Sequence, residues 1–182
     1  LNKRLTLQAY PNEQPWLKGS NVVTGWVREN NIWRKDNWNY SFRPNQQSRD
    51  INPKFPMAGY RDMVYINGVA LKQVGNKSRV GPGTFYVDAG NNKLYVGTNP
   101  AGKTVEATVQ AEGIVAWNSS SAGSVVRGLG LAHYADQAVK IGASGVTVEN
   151  TTMAWNGMDG VAVQASDVKL RGNIISHNGR KG

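Results

Sequence analysis

Cysteine is absent from the 182 residues. That excludes a disulfide framework and a thiolate metal site, and it leaves the compartment open. Carboxylates are scarce, with 12 Asp and Glu against 21 Lys and Arg, so acid–base chemistry has few candidates and the net charge is +9. Such a balance suits acidic partners, whether an anionic polysaccharide, nucleic acid or a cell surface, and equally an ordinary basic surface. No run approaches the roughly 18 apolar residues of a membrane span, and no cationic start with an apolar core marks a signal peptide. No membrane partner is therefore expected. Phosphate loops, metal-binding helix motifs, nucleophile elbows and nucleic-acid motifs are missing as well. Nucleic-acid binding would rest on charge alone, and no such partner is expected.

The remaining composition, 40% hydrophobic with 21 Gly, is that of a folded chain. Its last third repeats without a gap: Val126, Val148 and Leu170 stand 22 residues apart, as do Leu131, Met153 and Ile175, and Ala135, Gly157 and Gly179. Val139 and Ile141 recur as Val161 and Val163 one period later. Units this short cannot each bury a face alone, so they must stack on their neighbours. Within a period the apolar positions alternate, as in Val146 and Val148, and Asn150, Asn156 and Asn178 stand where the chain turns. A leucine-rich repeat of similar length would need a helical return, and Ala154 to Gly160 (AWNGMDG) is a poor helix. The unit reads as a strand-and-turn coil.

The runs NTTMAWNGMDGVAV and GNIISHNG resemble coils of right-handed parallel β-helix proteins of the pectate-lyase-like class. That class implies the fold and leaves the chemistry open, since it includes polysaccharide lyases, glycoside hydrolases, epimerases, tailspikes and adhesins. Residues 1–20, with short strands at Leu5 to Leu7 and at Trp16 and Leu17, look like an early coil. Over 21–112 the period disappears and hairpins take over, at Asn30-Asn31, at Asn67-Gly68 and between Thr84 to Asp88 and Lys93 to Val96. The runs VYINGVALKQV, GPGTFYVDAGNNKLYVG and NPAGKTVEA are similar to a β-sandwich inserted after the first coils of β-xylosidase-type glycoside hydrolases. The fold expected is all-β: a first β-helix coil at 1–20, an inserted antiparallel subdomain at 21–112 and β-helix coils at 113–182.

That resemblance implies a secreted, bacterial, carbohydrate-active protein that binds a polysaccharide or oligosaccharide, with a glycoside hydrolase first in line. A lyase or a non-catalytic binding module is the alternative. No cofactor is expected, and calcium is the one ion left open. The chain lacks an initiator Met and opens inside an alternating stretch, and Gly182 aligns with Gly160 where another strand should follow. The expectation is an N-terminal piece, with its signal peptide removed and with further coils or another copy of the chain covering its open end.

Candidate site residues fall in three groups. Asp136 and Asp159, 23 residues apart, would lie within roughly 5–8 Å of each other on stacked coils, a spacing compatible with a glycosidase pair and equally with two structural turn acids. His133, Trp155 and His177 form a column one per coil, with Tyr134 beside it, that could stack on sugar rings or pack a turn. The Pro-interrupted segment 39–61 brings Arg43, Tyr60 and Arg61, where guanidinium and aromatic faces suit sugar rings and carboxylates. Another column, Arg127, Glu149 and Arg171, alternates in charge and reads as a surface ladder.

Overall fold

The computed structural model describes residues 1–42, 54 and 56–179. It is all-β, with parallel and antiparallel sheets and three short 3₁₀ turns among the described residues. No helix there is long and apolar enough to cross a membrane. The chain divides into two compact units, one of residues 1–19 and 110–182 and the other of 20–109.

The first unit consists of coils stacked in parallel register, three short strands to a coil. One sheet runs Thr6–Gln8, Val125–Arg127, Thr147–Glu149 and Lys169–Arg171, and a second runs Trp16–Lys18, Gly130–Ala132, Thr152–Ala154 and Ile174–Ser176. The third holds Ile114–Ala116, Val139–Ile141 and Val161–Val163. Pairing joins Val126 to Val148 and Val148 to Leu170, and likewise Leu131 to Met153 and Met153 to Ile175. The middle coils are sealed, with Val126, Leu131, Val139, Ile141, Val148 and Met153 all fully buried. Burying each of these side chains contributes about 1.5–3 kcal/mol.

What bends so short a strand into a coil is the left-handed backbone, and it recurs with the period. Gly123, Gly145 and Asp167 have φ of 68°, 68° and 59°; Gly128, Asn150 and Gly172 have 71°, 49° and 59°. Gly, Asn and Asp bear this conformation at least cost. The turns are bonded from coil to coil as the strands are. The Gly128 N–H donates to Glu149 O at 3.2 Å and the Asn150 N–H to Arg171 O at 2.9 Å. Asn173 Nδ2 donates to Val148 O at 2.9 Å while its Oδ1 accepts the Thr151 N–H at 3.0 Å. Beside them Arg127 lies 3.6 Å from Glu149 and donates twice to Gln8 Oε1, so the charge column is a ladder on the surface.

The second unit has two sheets. Five strands run in the order Val27–Glu29, Ile32–Asp36, Lys93–Val96, Thr84–Asp88 and Lys72–Gln73; four run Ser20–Val22, Val105–Thr108, Val64–Ile66 and Val69–Ala70. All pairs are antiparallel except Lys72–Gln73, which lies parallel to Thr84–Asp88 and departs from the hairpin pattern that the sequence shows there. Asn67 and Gly68, at φ 50° and 78°, make the two-residue turn that an Asn-Gly pair favours. Phe85, Val87, Leu94 and Val96 of one sheet share a core with Val64, Ile66, Val105 and Ala107 of the other. At the edge of the charged face, Arg34 bridges Glu29 and Asp36 at 2.8 Å each, and Lys77 pairs with Glu29.

Candidate functional site

The third left-handed column carries no Gly, Asn or Asp; histidine is tolerated at positive φ, and its tryptophan is the outlier. Its members are His133, Trp155 and His177, at φ 65°, 60° and 53°. A bulky side chain at positive φ is an outlier that costs of order 1–3 kcal/mol. The three positions, one per coil, are held in place by what lies next to them. Asn156 is 2% exposed; its Oδ1 accepts the Tyr134 N–H at 3.1 Å, and its Nδ2 donates to Asn178 Oδ1 at 2.9 Å. Asn178 Oδ1 also accepts the Asn156 N–H at 3.0 Å, and Asn178 Nδ2 donates to Met153 O at 3.1 Å. The asparagines thus form a continuous ladder inside the turn, and it fixes the path of the residues just before it.

The column is not uniform. His133 is 7% exposed and its N–H donates to Trp155 O at 3.1 Å. Trp155 is 47% exposed, and its ring stacks on that of His177, itself exposed, with centroids 4.3 Å apart and planes 16° from parallel. Tyr134 belongs to the interior, 7% exposed, where burial pushes its phenol up from the ordinary value. The Tyr134 ring lies where a Cβ on Gly19 or Gly113 would meet it, at 2.7 and 2.9 Å. Gly19 directly precedes the segment 20–109 and Gly113 follows it by four residues, and the stems are joined by the Gln110 N–H to Gly19 O bond of 3.0 Å.

Asp136 and Asp159 occupy the next stretch of the same turn on neighbouring coils. The Asp136 carbonyl accepts the N–H groups of Met158 and Asp159 at 3.2 Å each, and the Asp159 carbonyl accepts the Ala138 N–H at 3.2 Å. Asp159 is 7% exposed and Asp136 is half-buried. Their backbones are therefore bonded neighbours. The geometry unites five of the candidates, Asp136, Asp159, His133, Trp155 and His177, around one turn of the first unit, with Tyr134 behind it.

Tyr60 and Arg61 belong to the second unit. The Tyr60 N–H closes a 3₁₀ turn on Met57 O at 3.0 Å, and the Arg61 N–H donates to Phe42 O at 2.9 Å. The neighbouring Asp62, 9% exposed, accepts from the Phe42 N–H at 2.9 Å and from Gln73 Nε2 at 3.3 Å. Both side chains are half-buried. Arg43 lies outside the described residues. Among the described residues no group of three or more His, Asp or Glu is placed to hold a metal ion.

Of two exposed tryptophans of the first coil, sequence reasoning placed Trp16 on an early strand as a core residue and missed Trp117. Trp16, 46% exposed, lies flat against Gly130, and Trp117, 44% exposed, against Gly142. Trp117 escaped because Ile114 pairs with Val139, 25 residues on, whereas Val139 pairs with Val161 at the regular 22. A search at the repeat period does not bring Trp117 and Gly142 together.

No family model matches the chain, and no curated protein matches it. Among solved structures, that of XylC in complex with xylose superposes on 97% of this chain with a TM-score of 0.70, at 14% identity. The fold is shared. The chain spans 45% of the length of XylC.

Proposed function

We propose that the chain is part of a secreted, carbohydrate-active protein of right-handed parallel β-helix type with an inserted β-sandwich, and that it binds a polysaccharide or oligosaccharide at the turn following its second sheet. The observation that carries this reading is the Trp155–His177 stack. An indole held at positive φ, at a cost, and left half in solvent is a poor device for stability, where Gly or Asn would serve the turn better. It is a good device for recognition. A rigid aromatic face takes the apolar C–H face of a sugar ring, and the stacked His177 keeps it in place. XylC holds xylose on a similar fold, which supports a neutral sugar as ligand.

A glycoside hydrolase is the activity that fits such a ligand site best. Asp136 and Asp159, bonded through their backbones beside the stack, are the carboxylates this stretch offers to it. In a lyase, an arginine would abstract a proton next to a uronate carboxylate; Glu149, between Arg127 and Arg171, neutralises the column that would do so.

The test is calorimetric titration of the full chain with xylo-oligosaccharides, comparing the wild type with Trp155→Asn. Asn suits positive φ, so the variant is expected to keep or raise its denaturation midpoint while its affinity falls at least about tenfold. Unchanged affinity in Trp155→Asn, or no binding of any oligosaccharide by the wild type, overturns the reading.

A further inference from the structure

Trp117 directly follows the strand Ile114–Ala116 of the third sheet; on the adjoining coil Lys140 lies in the strand Val139–Ile141 and Gly142 directly follows it. The Trp117 ring lies across them. Lys140 Nζ is 5.0 Å from the ring centroid, and a Cβ on Gly142 would meet the ring at 2.7 Å. Gly142 is not among the glycines with positive φ, so the backbone does not require it there. Its missing side chain is explained by the ring, which only a glycine lets lie flat on the coil. The residue is 44% exposed, so part of the indole surface is left to solvent. Lys140 Nζ is in turn 2.7 Å from Glu112 Oε1, and both side chains are about a third exposed, at 32% and 29%.

We propose that Trp117, Lys140 and Glu112 form a second carbohydrate site, for a neutral pyranose, on the third sheet. The inference rests on the carbohydrate reading above and names its ligand class. A flat, rigid indole offers the surface that the C–H face of a sugar requires. Against the ring, a paired ammonium and carboxylate present a donor and an acceptor side by side, the complement of two adjacent hydroxyls, each of which both donates and accepts. The pairing also decides the charge of the ligand. Glu112 already neutralises Lys140, so a uronate carboxylate would gain no net attraction and would meet the repulsion of Glu112. The cation held against the ring electrostatically fixes the indole and costs the sugar nothing to order.

The site is tested by titrating the full chain with xylohexaose and, separately, with a hexagalacturonate of the same length. Five proteins are compared: wild type, Trp117→Ala, Glu112→Gln, Trp155→Asn and the double variant Trp155→Asn with Trp117→Ala. The expected result is two binding events for xylohexaose in the wild type and one in Trp155→Asn, with the surviving event weakened at least about tenfold when Trp117→Ala is added. Glu112→Gln keeps the fold, leaves Lys140 uncompensated, and is expected to shift preference toward the hexagalacturonate; it also serves if Trp117→Ala does not fold. One event in the wild type, lost in Trp155→Asn and untouched by Trp117→Ala and Glu112→Gln, overturns this site and leaves the Trp155 reading standing. One event lost only in Trp117→Ala does the reverse. Tighter binding of the hexagalacturonate by the wild type overturns the neutral ligand class, and no binding at all overturns both sites.

Discussion

Asn156 shows how much one side chain can hold. Its amide accepts one backbone N–H with Oδ1 and donates with Nδ2 to Asn178 and, at 3.3 Å, to Ala154 O, all at 2% exposure. Truncating it leaves the buried Tyr134 N–H without its acceptor, while Asn178 Oδ1 keeps the Asn156 N–H, and a buried group left without a partner costs about 1–3 kcal/mol. Asn156→Ala is expected to lower stability by that amount, read as a shift of the urea midpoint at constant slope. A change within about 0.5 kcal/mol would show that the neighbouring backbone supplies those bonds. The asparagines were visible in the sequence as turn residues. Their role as a buried ladder was not, because only Asn150 of the three takes the positive φ (49°) that makes Asn a turn residue.

At the scale of elements, the charged face of the five-stranded sheet makes the sharpest prediction. Glu29, in the strand Val27–Glu29, receives bonds from Lys77 and from Arg34, and these hold its carboxyl below the ordinary value of 4.5. A carboxylate that binds its proton less tightly in the folded state stabilises that state when ionised. The contribution is complete above the ordinary carboxylate range and is lost as the pH falls through the lowered value. Glu29→Gln removes it at neutral pH and flattens the acid limb of the stability profile, so wild type and variant converge in strong acid. The measurement is the denaturation midpoint from pH 7 down to pH 2. A constant gap across that range would refute the assignment. Arg34 is five residues from Glu29, across a hairpin, but Lys77 lies 48 residues away, so no local pattern announces that second bond.

Among the described residues the molecule has two cores that share no residue, one among the stacked coils and one between the two sheets of residues 20–109. Leu94 is fully buried in the second, against residues such as Phe85, Val64 and Val105. Deleting a buried leucine side chain costs about 2–5 kcal/mol through lost burial and the cavity that remains. Leu94→Ala is expected to raise amide exchange throughout Val64–Ile66, Thr84–Asp88 and Lys93–Val96, while Val126, Val148 and Met153 keep their protection. Equal loss of protection in both sets would mean that the two units unfold as one.

The sequence by itself determined the coil. The 22-residue spacing, the alternation of apolar residues and the Asn and Gly at corners are local properties, since a side chain's fit to strand or to left-handed backbone depends on its own few neighbours. The hairpins of residues 20–109 were legible for the same reason, through pairs such as Asn67-Gly68. Only the tertiary structure decided that Ile114–Ala116 stands on the third sheet beside Val139–Ile141, in the coil begun by Thr6–Gln8 and Trp16–Lys18 before the chain leaves for residues 20–109. Pairing across such a gap depends on where a strand returns in space, and its 25-residue offset breaks the period that made the other coils visible. The same return seats Trp117 on Gly142. Likewise, only three-dimensional packing separated the column His133, Trp155 and His177 into a buried member and an exposed stack, because burial is set by what the fold lays over each coil.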